Sequence, residues 1–325
     1  MKFISILLAL VLGFSTAQAS TVEDFYKGNT VTVIIRTNAD GGSNDTYGRL
    51  LARYIGKHIP GNPNVIVQNM PGGGGLIAAN YTQHRAKKDG TEFTLFAQGA
   101  VIEQRKKTNG VDYDVQSWNL IGSMAGGSSA YVVHKDSPIN NIADIFSAQE
   151  VKVSASGPGS GSYTTSALLS KMGANIKFIL GYDKTSTKVL AVLRKDVDMT
   201  NGTYSSIMKR VQKNPDMKLI GILGNIDENP QVDRLENYVT PENQTVFDLM
   251  TVSVTAGSPF ALPPGVPSER VQAIRDAFKA TLKDADFLAE AKKLKRPIAY
   301  TSPEKMEKLY QTVLSASDED MAKVE

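Results

Sequence analysis

Residues 30–36 read TVTVIIR, a β-branched and almost continuously apolar run that fits a strand buried on both faces. The period then changes. Over residues 46–58 apolar side chains recur at Tyr47, Leu50, Leu51, Tyr54 and Ile55, the spacing of one helix face. Asn44 or Asp45 stands where a cap is needed, and Pro60-Gly61 ends the segment. Residues 64–68 predict a second strand, 77–85 a helix and 93–97 a third strand. This alternation predicts an α/β unit with a mostly parallel sheet. A second series begins near Ala130, with strands at 131–134, 151–155, 177–180 and 197–200 and helices at 163–172 and 187–194. The polar stretch 224–244, with Pro230 and Pro241, predicts a surface excursion. Residues 252–255 resume strand character, and 268–282 and 286–294 predict charged amphipathic helices.

The first nineteen residues change the picture of location. Met1-Lys2, an apolar run over 3–14 and the small residues 15–19 make up a secretory signal, with cleavage expected after Ala19. The run is shorter than the ~20 residues of a spanning helix, so a free periplasmic product is expected. The absence of cysteine excludes disulfides, thiolate metal sites and a lipid-modified cysteine anchor. Removing the signal takes one lysine and no acid, lowering the formal charge from +3 to +2. So small an excess argues against nucleic acid or a membrane surface as partner. A mature chain of about 306 residues exceeds one ordinary core and predicts two lobes.

The candidate chemistry lies in three glycine-rich turns, each running into a predicted helix: ADGGSND at 39–45, MPGGGG at 70–75 and SGPGSGS at 156–162. A helix N-terminus offers unpaired N–H groups and partial positive charge, and glycine admits a ligand close to that backbone. Capping or a tight βα turn explains any one of them, whereas three together predict a cleft for a small anion. Tyr47, Tyr163, Tyr182 and Tyr204 lie in or just after turns, where a phenol can pack or meet a ligand.

An enzyme reading competes. The turn at 157–162 follows a strand, opens a helix and precedes Asp183 at about the spacing of a dinucleotide site. Ser162 stands at the third glycine position, and Pro158 stiffens a turn that must wrap a pyrophosphate, so the match is partial. No Gly-Lys-Ser/Thr follows the glycine run, and no Gly-x-Ser-x-Gly elbow occurs. His58, His84 and His134 lack ligand spacing, so neither catalytic nor metal-binding residues are assigned and no cofactor is expected.

Several segments resemble the solute receptors of tripartite tricarboxylate transporters, the Bug proteins: FYKG at 25–28, GGSNDT at 41–46, QNMPGGG at 68–74 and KDGT at 88–91. The likeness continues through Gly181-Tyr182, residues 190–198 and ALPPGVP at 261–267, covering nearly the whole mature chain. It implies a type II periplasmic binding protein: two α/β lobes with a ligand cleft between them. Lobe 1 would comprise residues 20–123 plus 250–325 and lobe 2 residues 124–249, strand 252–255 completing the first lobe. The family's ligand loops map onto Thr37, Asp40, Gly42, Ser43, Asp45, Gly72, Gly73 and Gly74 in lobe 1. In lobe 2 they map onto Ser156, Gly159, Ser160, Ser162, Tyr182, Asp183, Asn201 and Tyr204. Ser43, Gly73, Ser160 and Ser162 are the leading candidates.

The resemblance implies a monomeric, non-enzymatic receptor that captures a small organic carboxylate and delivers it to a membrane permease. A secreted dehydrogenase or hydrolase is the alternative. One departure bears on the ligand. Asn38-Ala39-Asp40 stands where many members carry an apolar or proline-glycine stretch, and Asp40 would repel a bare carboxylate unless Arg36 pairs with it or Asp40 faces solvent; Asp183 raises the same question on the other lobe, so a ligand with a positive group beside its carboxylate stays open.

Overall fold

The β-branched runs form strands, and the turns between them carry the glycines. The computed structural model describes residues 21–39, 42–224 and 231–324. The signal segment, Asp40, Gly41 and residues 225–230 of the polar excursion lie outside the described residues. In chain order the strands are β1 (Thr30–Ile35), β2 (Asn64–Asn69), β3 (Glu92–Leu95), β4 (Asn119–Ser123), β5 (Ser129–His134), β6 (Val151–Ser154), β7 (Ile176–Ile179), β8 (Met199–Thr203), β9 (Met217–Leu223) and β10 (Pro259–Leu262). The helices are α1 (Val22–Tyr26), α2 (Ser43–Ile55), α3 (Leu76–His84), α4 (Ala100–Arg105), α5 (Ile142–Ser147), α6 (Gly161–Lys171), α7 (Thr185–Leu193), α8 (Tyr204–Val211), α9 (Gln244–Ala256), α10 (Ser268–Thr281), α11 (Ala285–Lys293), α12 (Pro303–Leu314) and α13 (Asp318–Val324).

Two five-stranded sheets result, ordered β2-β1-β3-β10-β4 and β7-β6-β8-β5-β9. In the first, β1 pairs in parallel with β2 and β3, and β10 runs antiparallel between β3 and β4. In the second, β6 is parallel to β7 and β8 while β5 is antiparallel to β8 and β9. Each is therefore an α/β lobe whose parallel strands deliver their C-terminal turns to one edge, where ligands bind in open sheets.

Two expectations are corrected. Residues 252–255 are not a strand but the last turn of α9, whose Val246, Leu249, Met250 and Ser253 form one buried stripe at helical spacing. Gly257 ends that helix at φ 63, and the strand that completes the first sheet is β10, two residues beyond. The helix after β1 begins at Ser43, not near 46. Its N-cap is Gly42, so Asn44 and Asp45 lie inside the first turn.

Phe93, Phe260 and Phe278 centre the core of the first lobe, with ring centroids 6.2 and 5.5 Å apart along the series. Each such buried side chain contributes about 1.5–3 kcal/mol. A second cluster runs from Phe96 and Trp118 through Leu249 and Val252 of α9 to Tyr131 and Met199 of the second sheet, tying the lobes together. Residue 250 falls inside α9, which packs on α6, while α12 rests against β4, α4 and α9.

Candidate functional site

Three βα turns and two hydroxyl-bearing segments converge on a cavity of about 70 Å³ between the lobes. After β1 the chain supplies Arg36, Thr37 and then Ser43, the first residue of α2. The cap of α2 is a glycine with no side-chain bond to the helix, so the positive N-terminal end of α2 faces the cavity through Ser43. After β6, Ser160 caps α6: its hydroxyl donates to the Gly157 carbonyl at 2.6 Å and accepts from the Tyr163 N–H at 3.3 Å. Ser162 follows, and Thr185 and Lys188 enter from α7. The start of β5 and the end of β8 add Ser128, Ser129 and Thr203. Three helix N-termini therefore point positive ends at one space.

Four buried polar atoms of these lining residues have no hydrogen-bond partner among the described residues: Arg36 Nε, Thr37 Oγ1, Ser43 Oγ and Thr203 Oγ1. An unmatched buried polar group costs about 1–3 kcal/mol, so four around one cavity mark groups waiting for a ligand. Arg36, 6% exposed, donates from Nη1 to the Gly74 carbonyl at 3.1 Å. Burial pushes its pKa down to about 10, and Asp183 partly opposes that shift. Lys188 is equally buried and stands on the other lobe. Two cations and the single carboxylate of Asp183 thus face the space among the described residues.

The lobes touch across the cleft. The Gly99 N–H donates to the Gly159 carbonyl at 3.2 Å, joining first lobe to second. Gly74, at φ +69, lies so close to Gly157 and Pro158 that an added Cβ would collide with the Pro158 carbonyl oxygen. Only glycine permits both that backbone conformation and that approach.

Of the candidates read from the sequence, Thr37, Ser43, Ser156, Ser160, Ser162 and Asp183 line the cavity. Gly72 and Gly74 line a small annex that shares Arg36, Ser156 and Asp183. Gly42 is the helix cap, Gly73 lies off both spaces, and Gly159 is a lobe-to-lobe contact. Asp45 turns away from the cavity, accepting from Arg49 Nε at 2.9 Å and Asn69 Nδ2 at 3.1 Å. Asn201 lies behind the wall, donating to Thr165 Oγ1 at 2.9 Å and Ser166 Oγ at 2.6 Å. Tyr182 contributes its carbonyl to Ser156 Oγ, and Tyr204 borders an adjoining cavity of about 30 Å³. Tyr47 donates to the Pro297 carbonyl at 2.8 Å and Tyr163 packs on Phe178, so both phenols serve the scaffold. Asp40 lies outside the described residues.

Thr203, inside the 201–204 turn of the resemblance, lines the cavity, whereas the sequence reading missed Gln98, Ser128, Ser129, Thr165, Thr185 and Lys188. Lys188 carried a usable signal, a lone cation in the first turn of an otherwise uncharged helix after a candidate turn. The serine and threonine positions carried none. Among the described residues no cluster of His, Asp and Glu could hold a metal ion, and no helix is long and apolar enough to cross a membrane.

Two α/β lobes closing on a cleft of helix N-termini and orphaned donors define a solute-binding receptor of the periplasmic binding protein class. Residues 49–319 match the model described as tripartite tricarboxylate transporter family receptor, and the chain belongs to that family. It is 29% identical over 280 residues to the "UPF0065 protein in gbd 5'region" of Cupriavidus necator, covering 83% of this chain and 80% of that one. Its fold is similar to the periplasmic binding protein BugD, with TM-score 0.71, 20% identity, and 89% and 96% of the two chains covered. Malate-bound MatC from Rhodopseudomonas palustris superposes with TM-score 0.72 at 19% identity, covering 91% of this chain and 99% of that one. The R. palustris protein Rpa4515 with adipate gives TM-score 0.72 at 17% identity, covering 91% and 97%.

Proposed function

We propose that this receptor captures a small organic carboxylate in the periplasm, as a monomer exported by a cleaved signal, and hands it to the permease subunits of its transporter. The observation that carries the reading is the set of orphaned donors, Arg36 Nε and the hydroxyls of Thr37, Ser43 and Thr203, gathered where three helices present their N-termini. A carboxylate accepts several such bonds at once, and its charge favours the positive helix ends. Malate and adipate in two similar structures support that ligand class. In this reading the lobes divide near residues 124 and 250, hinge closure buries the ligand, and nothing in the site performs a reaction.

A thermal-shift screen across mono- and dicarboxylates, aromatic acids and amino acids tests it, since a ligand of the native state raises the melting temperature. Stabilisation by at least one carboxylate is expected. Stabilisation by cationic amines alone would show that the acids dominate the site. A nucleotide found by native mass spectrometry, or turnover of a generic ester, would favour the enzyme reading instead.

A further inference from the structure

A second interlobe feature lies outside the ligand cavity. Where α8 of the second lobe faces α11 and residues 295–298 of the first, a groove of about 560 Å³ opens to solvent. Its floor is apolar, built from Met208, Leu288, Pro297 and Ile298, and Leu288 is 41% exposed. Its rim carries Lys209, Lys292 and Lys295, with the buried Arg296 beneath, and among the described residues no acidic side chain lines it.

The nearest acids of α11 are already engaged. Glu290 accepts from Arg53 and Tyr54, and Asp284 and Asp286 face Lys57. Burial and three neighbouring cations, Arg296, Lys213 and Arg210, lower the pKa of Lys209. Among the described residues, the charged side chains on the rim of the groove are Lys209, Lys292 and Lys295.

The groove is a product of both lobes. Lys295 Nζ donates across it to Gln212 Oε1 at 3.2 Å. Beneath it Arg296 binds the hydroxyls of Ser205 and Ser206 at 3.0 and 3.1 Å and that of Thr46 at 3.4 Å. Tyr204, Ser205 and Pro297 also line the 30 Å³ cavity that shares Ser43, Gln98 and Thr203 with the ligand site. The surface thus exists as one unit only when the lobes are together, and a partner bound there distinguishes a closed receptor from an open one.

We propose that this groove docks a segment of the membrane partner that carries acidic residues beside apolar ones. A concave apolar floor inside a single-sign basic rim fits such a segment: the apolar side chains supply buried area and the acids supply orientation and encounter rate. The inference rests on the reading above that the chain delivers its ligand to a membrane protein.

Site-specific photocrosslinking in native cells tests it, with benzoylphenylalanine at Leu288 and, as control, at the exposed Ile66 of β2. The expected result is a light-dependent adduct from position 288 to an integral membrane protein, mapping to a peptide rich in Asp or Glu, with none from position 66. The triple variant K209E/K292E/K295E should lower its yield at least tenfold, and K292E alone should lower it measurably. All three lysines are exposed, and an unchanged melting temperature verifies that the variants fold. No adduct, adducts confined to lipid or soluble proteins, or a yield indifferent to charge reversal would overturn the proposal. Calorimetry of the same variants with carboxylates separates the two claims. Crosslinking without any carboxylate binding defeats the ligand reading and leaves docking standing, whereas binding without crosslinking does the reverse.

Discussion

Replacing Arg36 with methionine should move affinity and stability in opposite directions. Methionine keeps an unbranched stem of similar reach and removes the guanidinium. Burial, partly opposed by Asp183, pushes the Arg36 pKa down to about 10, a net cost of about 3 kcal/mol carried by the unliganded protein. Removing the charge relieves that cost, offset in part by the lost bond to the Gly74 carbonyl. At about 2 °C per kcal/mol for a chain of this size, the melting temperature should rise by at most roughly 6 °C. Ligand binding loses a buried charge-assisted contact of about 2–5 kcal/mol, so the dissociation constant should weaken roughly 30-fold to several-thousand-fold. Titration calorimetry with the best-bound acid of the screen, together with calorimetric melting of the free protein, reads both effects. Affinity within threefold of wild type would refute the assignment. A lower melting temperature with lost affinity would mean that Arg36 holds the fold and not the ligand.

Other outcomes follow from the same geometry. Gly74→Val places a side chain against the Pro158 carbonyl and should hold the lobes apart, weakening binding at least tenfold and abolishing ligand-induced compaction in small-angle scattering; compaction as in wild type would show that the loops do not meet on closure. Asp183→Asn should strengthen binding of dicarboxylates without an amine, because it removes the carboxylate that faces them, and weaker binding of those acids would show that Asp183 grips a positive group. Burial pushes the Tyr47 phenol up to about 12, so its stabilising neutral form is fully present below pH 10 and is lost as pH rises from about 10 towards 12. Burial moves Tyr26, Tyr113, Tyr131 and Tyr310 the same way, so an absorbance titration at 295 nm should show these phenols ionising only as the circular dichroism of the fold is lost. Complete ionisation near pH 10 with the fold intact would contradict their burial.

β1 was legible as a largely buried β-branched run, β6 by its two buried valines, and the turns after both show their glycines. Residues 252–255 misled because Val-Ser-Val-Thr alternates like a strand, while the stripe that makes them helical begins upstream at Val246. β10 and β4 were hidden by Pro259 and Gly122, which interrupt the patterns that announce strands. Within the site, Thr37, Ser43, Ser160 and Ser162 sat beside visible turns. Gln98 and Ser129 reach the cavity only through the crossing of distant strands, which no local pattern encodes. Asp45 shows the opposite limit, since position in a glycine turn does not reveal that Arg49 and Asn69 claim its carboxylate.

The central claim is that the cleft recognises a carboxylate group as such. Its most direct test is calorimetric titration of the purified mature protein with the best-bound acid of the screen and with its methyl ester. The account predicts one-to-one binding of the acid and loss of at least tenfold in affinity for the ester, because the ester removes the charge that the helix ends and Arg36 face. Equal affinity for acid and ester, or no binding of any carboxylate, would contradict it.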